Sequence, residues 1–365
     1  MKEQFIPVYQ PMLAGKEQQY VAECMETTWI SSKGKYVSRF ENDFSRYLGI
    51  GYSTAVSNGT AALHLALHTL GIGPGDEVLV PTLTYIASVN SIAYVGAKPV
   101  FIDSEPDTWN IDSALIEQKI TPRTKAVMAV HLYGSVCAME PLQLLCRKHN
   151  LLLIEDVAEA FGSQYRGRYA GSFGDIATFS FFGNKTLTTG EGGMVASNDQ
   201  SIIKRAAYLK SQAVSEVREY WHDEIGFNFR MTNLCAAIGV AQLEYADDIL
   251  QKKRDIASWY QADLEGTSIE FQADIEDTVN SYWMVSVLAK DENQRDLIRK
   301  NLKNNGIETR PLFHPAHTMP TFKTEESYPV AEQLSCRGLN LPSYPTLLRD
   351  QVAYISSKII EVVNK

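Results

Sequence analysis

Short apolar runs alternate with helix-like segments along the first half of the chain, and this alternation limits the fold more than any other feature. From about residue 53, the apolar runs are STAVS, DEVLVP, KPVFID, KAVMAVHL and LLLIEDV. The segments between them have helical spacing, as in NGTAALHLALHTL and YIASVNSIAYV. Continuous apolar runs separated by helices are typical of a mostly parallel sheet that is covered on both faces. The sequence therefore predicts an open α/β sheet, in which ligands usually bind at the carboxyl ends of the strands.

The rest of the chain is predicted to complete this sheet and to form a smaller unit. IATFSFF and GGMVAS are strand-like and extend the sheet, and a long helical region runs from Asn233 to about residue 264. Beyond Gly266, two segments are strand-like and two are helix-like: WMVSVLA and IETRPLF, then DENQRDLIRKNLKNNG and RDQVAYISSKIIEVV. We predict a large α/β domain over residues 1–250 and a small α+β domain over residues 251–365.

Charge and composition exclude several classes of partner. The 365 residues carry a formal net charge of −9, and nonspecific nucleic-acid binding needs a basic surface instead. A local site for a phosphate-bearing small ligand is still compatible with this charge. No apolar run is long enough to span a membrane, and the first residues lack the apolar region of a signal peptide. The five scattered cysteines and seven histidines lack metal-type spacing, so we expect a cytoplasmic protein with reduced thiols and no metal.

Two candidate ligand contacts follow predicted strands. Ser57, Asn58, Gly59 and Thr60 stand where a strand gives way to a helix. Backbone N–H groups at a helix start, together with hydroxyl groups, form an anion site. The alternative is that these residues only cap the helix. Tyr85 follows the next strand, in PTLTYIAS, and either contacts a flat ligand ring or lies in the core.

Two acidic residues come at the end of the run LLLIEDV or just after it. Asp156 is placed at the carboxyl edge of a strand, where a partly buried carboxylate needs a partner. A protonated pyridine nitrogen and a structural arginine are both suitable partners. Glu159, three residues further on, either reaches the same site or faces solvent. The sequence therefore predicts a buried acid at this edge and leaves its partner open.

One lysine stands in an unusual setting. Lys185 follows the apolar run IATFSFF and precedes small and hydroxyl residues that end in GEGG. A lysine removed from water gives up its proton more readily, and the neutral amine is a nucleophile that can form a Schiff base. Ser180, five residues earlier, could add a hydroxyl to a phosphate site. The alternative for Lys185 is a charged anchor beneath a loop.

These positions are more informative as a set than singly. A phosphate loop, a stacking aromatic ring, an acid and an amine at the strand ends of one sheet match the groups that pyridoxal phosphate requires. The acid keeps the ring nitrogen charged, so that the ring can accept electrons from a carbanion. The sequence therefore predicts pyridoxal 5'-phosphate, held covalently on Lys185.

Long, ordered motifs extend over about residues 6–350, and over this range the chain resembles the DegT/DnrJ/EryC1/StrS family of sugar-nucleotide aminotransferases. The motifs are WISSKGKYVSRFE, VSNGTAALHLAL, GDEVLVPTLTYIASVNSI, TKAVMAVHLYG, IEDVAEAFGS, FSFFGNKTLTTGEGGMV, GFNFRMTNLCAAIGVAQLE, ETRPLFHPAH and GLNLPSYP. The resemblance implies the aspartate-aminotransferase type fold, which is fold type I of the pyridoxal-phosphate enzymes. It also implies a homodimer, or a dimer of dimers, with active sites at the subunit interface.

The resemblance implies a role for each matching position. Lys185 matches the Schiff-base lysine, and Asp156 matches the acid on the pyridine nitrogen. Glu159 stands where relatives often carry Gln or His near the ring hydroxyl, so its carboxylate could bond that hydroxyl or act in proton transfer. The other implied cofactor contacts are Gly59, Thr60 and Ser180 at the phosphate, Tyr85 on the ring, and Asn228 from the second subunit.

Within the family, several motifs resemble the subgroup that acts on a GDP-linked sugar. They are TWISSKG, HLYG, SFFGNKT, YWHDEIGFNFRMTN and FHPAHTMP. This resemblance implies transfer of the amino group of L-glutamate to C4 of GDP-4-dehydro-6-deoxy-D-mannose, giving GDP-perosamine. Cationic side chains bind diphosphate and histidines hydrogen-bond sugar hydroxyls. The candidate substrate contacts are Ser31, Lys33, Arg230, Arg310, His314 and His317. The alternative for each of them is a surface charge or a capping residue.

Two alternative functions stay open. An aminotransferase for another keto-sugar, linked to dTDP or UDP and aminated at C3 or C4, would keep every cofactor residue and change only the sugar pocket. A non-catalytic regulatory protein on the same fold is the other alternative, because a fold alone does not define a function. The presence of both Lys185 and Asp156 favours an enzyme.

Overall fold

The computed structural model describes residues 5–364, and in this range helices surround three β-sheets. The helices are α1 (Glu17–Glu26), α2 (Lys35–Leu48), α3 (Gly59–Thr69), α4 (Ile86–Tyr94), α5 (Met139–His149), α6 (Gln200–Leu209), α7 (Asn233–Glu244), α8 (Ala246–Asp263), α9 (Glu292–Asn304), α10 (Pro329–Arg337) and α11 (Arg349–Val363). The strands are β1 (Tyr52–Val56), β2 (Glu77–Pro81), β3 (Lys98–Ile102), β4 (Thr124–Val130), β5 (Leu152–Asp156), β6 (Gln164–Tyr165), β7 (Arg168–Tyr169), β8 (Ile176–Ser180), β9 (Gly193–Ser197), β10 (Glu270–Phe271), β11 (Thr278–Val279), β12 (Val285–Leu288), β13 (Arg310–Pro311) and β14 (Gly338–Leu341).

The largest sheet within the described residues has the strand order β1-β9-β8-β5-β4-β2-β3. Strand β9 is antiparallel to both of its neighbours, and the remaining pairs are parallel. Every residue of β2 is buried, as expected for a parallel strand that helices cover on both faces. The prediction of a mostly parallel α/β sheet is therefore confirmed.

Helix α2 shows how the sequence creates one side of the core. Tyr36, Phe40, Phe44 and Leu48 recur every four residues, so they form one apolar face, and all four are buried. The ring of Phe44 packs edge-on against that of Phe179 in the sheet, with 4.8 Å between the ring centroids. Burial of each such side chain contributes about 1.5–3 kcal/mol to folding.

The long helical region predicted from Asn233 is divided into two helices. Helix α7 ends at Glu244, and α8 begins at Ala246 after Tyr245, whose φ of −110° and ψ of 10° lie outside the helical range. Asp247 and Asp248 occupy the first turn of α8. Carboxylates favour the positive end of a helix dipole, so this pair stabilises a new helix start at that position.

A second sheet, of order β10-β12-β14-β13, lies in the carboxyl-terminal part of the chain. The segment near the amino terminus joins this region, because Ile6 pairs with Ile307 in a parallel bridge. The predicted boundary at residues 250 and 251 falls inside α8, and the division into two domains stays a prediction. Within residues 5–364, the helices are too short or too polar to cross a lipid bilayer.

Candidate active site

A cavity of about 640 Å³ opens at the carboxyl ends of the parallel strands. Strands β1, β2, β5 and β8 end beside it, which is where an open α/β sheet usually holds its ligand. Eight of the positions that the sequence singled out line this cavity: Asn58, Gly59, Thr60, Tyr85, Asp156, Glu159, Ser180 and Lys185.

The start of α3 forms one end of the cavity. Asn58 caps this helix, since its side-chain oxygen accepts a hydrogen bond from the Ala61 N–H at 2.8 Å. A Cβ on Gly59 would lie 2.7 Å from Cβ of Ser180, so only glycine lets the helix start approach the end of β8 this closely. Capping and anion binding are therefore compatible, because one capping side chain satisfies only part of the N–H groups that a helix start leaves without a helical partner. Ser57 lies outside the lining, and its N–H donates to the Phe229 carbonyl at 2.7 Å.

Tyr85 and Asp156 face the cavity from two strand ends. Tyr85 is 56% exposed and precedes α4, so the alternative that it belongs to the core is wrong. Asp156 is the last residue of β5 and is only 4% exposed. One of its carboxylate oxygens accepts the Ser88 hydroxyl at 2.8 Å and the other accepts the Ala158 N–H at 3.1 Å. No arginine in residues 5–364 forms an ion pair with Asp156, so the structural-arginine alternative is wrong and a cationic ring nitrogen suits this acid.

Lys185 and Glu159 lie close to each other in the lining of the cavity. The Lys185 side chain is 12% exposed, and its Nζ lies 3.6 Å from Oε1 of Glu159. The other oxygen of Glu159 accepts the Tyr133 N–H at 3.0 Å. Burial raises the pKa of Glu159 to about 7, although the Lys185 ammonium opposes the shift. Glu159 therefore reaches the site and can take up or release a proton near neutral pH.

Three further side chains belong to the site although the sequence did not single them out. The Trp283 ring lies 4.0 Å from Nζ of Lys185, measured to its centroid, and Phe313 lies 5.6 Å from Tyr85 between ring centroids. Both come from distant parts of the chain, where no local pattern marks them. Ser88 could have been recognised from the sequence, because it follows Tyr85 by three residues and so lies in the first turn of α4, on the side of the predicted site.

The cavity residues fit pyridoxal phosphate. The volume lies within the range of about 300–1,000 Å³ that small-ligand pockets usually have. Gly59 and Thr60 at the start of α3 and Ser180 at the end of β8 line the cavity together, and a helix start with hydroxyl groups beside it suits a phosphate. In the same cavity, Asp156 is a buried acid without a cationic partner among the described residues, and Lys185 supplies an amine.

The predicted sugar contacts and Asn228 do not line this cavity. Ser31 and Lys33 are exposed, and Lys33 borders a separate pocket with Cys24 and Trp29. The Arg230 guanidinium donates to Oδ1 of Asn228 at 2.9 Å. The structure therefore groups these polar side chains on other surfaces of the same chain.

Three further predicted contacts also lie outside the cavity. Arg310 pairs with Glu308 at 2.6 Å, and His314 is exposed. His317 is buried: Nδ1 lies 2.7 Å from the Thr82 hydroxyl, and Nε2 lies 3.2 Å from Oε1 of Glu332. Both ring nitrogens of His317 are thus already engaged within the fold.

Comparison with known proteins gives a consistent assignment. The sequence profile of the DegT/DnrJ/EryC1/StrS aminotransferase family matches residues 11–360. A protein named GDP-perosamine synthase from Escherichia coli O157:H7 is 54% identical, over 98% of each chain. A protein of the same name from Vibrio cholerae is 49% identical, over 98% of this chain and 99% of its own. The PLP form of Spr1654 from Streptococcus pneumoniae has a TM-score of 0.93 at 28% identity, covering 99% of this chain and 98% of its own.

The fold, the site and these matches together define a pyridoxal-phosphate-dependent aminotransferase of fold type I. This confirms the predicted fold class, enzyme class and cofactor dependence. The chain belongs to the DegT/DnrJ/EryC1/StrS aminotransferase family. Its high identity to two proteins named GDP-perosamine synthase also confirms the resemblance to that subgroup.

Proposed function

We propose that the protein transfers the amino group of L-glutamate to C4 of GDP-4-dehydro-6-deoxy-D-mannose and forms GDP-perosamine. The observation that carries amino transfer is the placement of the Lys185 amine in one cavity with Asp156 and the start of α3. The choice of sugar is supported by identities of 54% and 49% to GDP-perosamine synthases over nearly the whole chain.

Several cavity residues are suited to hold the cofactor. Gly59, Thr60 and Ser180 bind the phosphate through backbone N–H and hydroxyl groups, with Asn58 holding the helix start in place. Asp156 would hold the ring nitrogen and favour its positively charged form. The Lys185 amine would hold the cofactor's aldehyde carbon. When bound, pyridoxal phosphate supplies a ring that accepts electrons from the carbon that loses its proton.

Lys185 also moves the proton in the reaction. The Lys185 amine would take the proton from the α-carbon of L-glutamate and return it later in the reaction, acting as general base and then as general acid. Glu159 lies 3.6 Å from this amine, and its carboxylate can stabilise the positive charge that Lys185 carries after it has taken the proton. In the net reaction, L-glutamate would give up its amino group and take an oxygen from water to become 2-oxoglutarate, and the keto-sugar would receive that amino group and lose its C4 oxygen as water. The bound cofactor would carry the amino group between the two half-reactions.

We also propose that the active enzyme is a homodimer or a dimer of dimers, in which Asn228 acts at the partner's phosphate site. Asn228 is exposed and lies outside the cavity of its own chain, which agrees with action on a second subunit. The neighbouring segment exposes two large apolar side chains, Val217 at 95% and Tyr220 at 96%. Exposed apolar side chains of this kind are typical of protein interfaces.

For the sugar nucleotide, the candidates are polar side chains that lie outside the cavity. Ser31, Lys33, Arg310 and His314, which are exposed, and Arg230, which is half-buried, are proposed contacts to the diphosphate or the sugar. Among the six contacts predicted from the sequence, His317 is the least suited to bind the sugar, since its ring nitrogens already contact Thr82 and Glu332.

Borohydride reduction tests the covalent role of Lys185. The holoenzyme is reduced, digested and mapped, and we expect one cofactor-bearing peptide that contains Lys185. The Lys185→Ala protein should carry no label and lack the visible absorbance of the wild type. A colourless wild-type protein would support the regulatory alternative, and a label on another lysine would contradict the assignment.

Product analysis tests the substrate. The enzyme is incubated with L-glutamate and GDP-4-dehydro-6-deoxy-D-mannose, and NMR should identify a C4 amino sugar on GDP. The same assay with dTDP- and UDP-linked keto-sugars is the comparison. Faster turnover of one of those compounds would replace the proposed substrate while leaving amino transfer intact.

A further inference from the structure

A fully buried lysine, Lys253 of α8, lies behind the active site without a carboxylate partner in the described part of the chain. It is 0% exposed, and its Nζ donates to the Trp283 carbonyl at 2.8 Å and to both the carbonyl and the hydroxyl of Ser343. Burial lowers the pKa of Lys253 to about 7. Lysines are almost never fully buried without a charged partner, because removing the ammonium from water is costly.

The neighbours of Lys253 also contact the segment that carries Lys185. The Trp283 indole N–H donates to the Asn184 carbonyl at 2.6 Å, and its ring centroid lies 4.0 Å from Nζ of Lys185. The Tyr9 ring centroid lies 5.3 Å from Nζ of Lys253, and the Tyr9 hydroxyl donates to the Lys185 carbonyl at 2.6 Å. The carbonyls of Asn184 and Lys185 are therefore held by the side chains of Trp283 and Tyr9, and Lys253 contacts the main chain of the first and the ring of the second.

We propose that Lys253 is a positioning residue for the Lys185 amine and acts through the main chain of Trp283 and the ring of Tyr9. The inference rests on the proposed function in one respect, namely that Lys185 is the amine that bonds the cofactor. If the Lys253 side chain is replaced by one without a donor, the buried carbonyls of Trp283 and Ser343 lose the hydrogen bonds from its Nζ. Buried carbonyls without a donor favour local rearrangement. Movement of Trp283 displaces the ring against which the Lys185 amine rests.

The test compares Lys253→Met with Lys252→Met as holoenzymes. Lys252 is the adjacent, exposed lysine of the same helix, so it controls for loss of a positive charge. The measurements are visible circular dichroism of the bound cofactor, which reports its orientation, and the single-turnover rate with L-glutamate. For Lys253→Met we expect an altered dichroism and a rate lower by about 10- to 100-fold, because small displacements of a reacting group have effects of that size. The L-glutamate concentration for half-maximal rate should stay about the same, and Lys252→Met should behave as wild type.

Tyr9→Phe is the second variant and guards against poor folding of Lys253→Met. It keeps Lys253 and removes only the hydroxyl that donates to the Lys185 carbonyl. We expect a change of dichroism in the same direction as in Lys253→Met, and smaller. If Lys253→Met does not fold, this variant decides: an unchanged dichroism and rate in Tyr9→Phe would overturn the positioning role.

The positioning role of Lys253 would also be overturned if a folded Lys253→Met protein had the dichroism and the rate of the wild type. Borohydride mapping of the wild type is done first, so the two proposals can fail separately. If Lys185 of the wild type is not labelled, the proposed function fails. If Lys185 is labelled and Lys253→Met behaves as wild type, only the inference about Lys253 fails.

Discussion

At the scale of single residues, the site depends on how two buried carboxylates are paired. Asp156 is held by a hydroxyl and a backbone N–H, neither of which neutralises its charge. Glu159 instead lies beside the Lys185 amine, at 3.6 Å. The two acids are only three residues apart in sequence, but their surroundings differ. Those of Asp156 suit the proposed contact with the ring nitrogen, whereas burial raises the pKa of Glu159 to about 7.

Asp156→Asn should lower turnover by several orders of magnitude while the fold is kept. A neutral amide cannot keep the ring nitrogen charged, so the ring withdraws electrons less well. Steady-state kinetics and the visible spectrum of the holoenzyme measure this. The matched control is Asp103→Asn, because Asp103 is also a buried acid just after a strand of this sheet but accepts the N–H groups of Val330 and Ala331. Equal kinetics of Asp156→Asn and wild type would show that the pyridine contact is misassigned.

Glu159→Gln should change how stability depends on pH in the cofactor-free protein. The pKa of Glu159 is raised to about 7 by burial, whereas an unfolded glutamate titrates near about 4.3. Between these values the unfolded chain loses the proton first, so the free energy of unfolding falls as pH rises and levels off above about 7. Glu159→Gln should lack this pH-dependent part of the free energy of unfolding, which changes by at most about 1.4 kcal/mol per pH unit.

Denaturant unfolding of both proteins over this pH range tests the prediction. Glu265→Gln, at an exposed position, is the control and should follow the wild-type curve. Parallel curves for wild type and Glu159→Gln would contradict the assigned burial effect.

At the scale of secondary-structure elements, the contact between the start of α3 and the end of β8 shapes the cavity. The two elements meet where Gly59 faces Ser180, and Asn58 closes the first turn of the helix. Because the phosphate is proposed to bind here, the spacing between helix and strand determines how many N–H groups can reach it.

Gly59→Ala should weaken cofactor binding by forcing these elements apart. The new Cβ would lie 2.7 Å from Cβ and 2.9 Å from Oγ of Ser180, and overpacking of this kind costs about 1–3 kcal/mol. Fluorescence titration of the apoenzyme with pyridoxal phosphate measures the change in affinity. Gly73→Ala is the control, because its nearest neighbour, the Val95 carbonyl, would lie at 3.8 Å, an ordinary contact. An unchanged dissociation constant for Gly59→Ala would argue against phosphate binding at this position.

At the scale of the whole molecule, one apolar cluster joins the largest sheet to the region of the carboxyl-terminal sheet. It includes Val80 of the large sheet together with Trp283, Leu312 and Tyr328 from the carboxyl-terminal region. A shared core of this kind couples the unfolding of the two regions, even if they form separate domains. The active site benefits directly, since Trp283 from the second region contacts Lys185 of the first.

Ile298→Ala should therefore lower the stability of the entire chain. Ile298 is fully buried in the carboxyl-terminal core, and truncation of a buried isoleucine costs about 2–5 kcal/mol. Differential scanning calorimetry should show one transition, shifted to lower temperature. Leu79→Ala, in the core of the large sheet, should shift that same transition. Two transitions, with each variant moving only one of them, would show instead that the regions unfold independently.

The sequence by itself determined the sheet and the chemistry at its edge. Continuous apolar runs, separated by segments with helical spacing, predict buried parallel strands, because helices cover such strands on both faces. Since parallel strands end at a common edge, residues that follow different strands, such as Gly59, Asp156 and Lys185, are brought together without further information.

Only the tertiary structure decided which distant side chains complete the site. Trp283 and Phe313 reach the cavity, and Lys253 is buried behind it, through packing between segments far apart in sequence. His317 resembled a ligand contact in the sequence, yet its ring is engaged by Thr82 and Glu332. Local patterns record whether a residue prefers burial and which element it forms. The partner that it meets depends on the packing of the whole chain, which no single stretch of sequence contains.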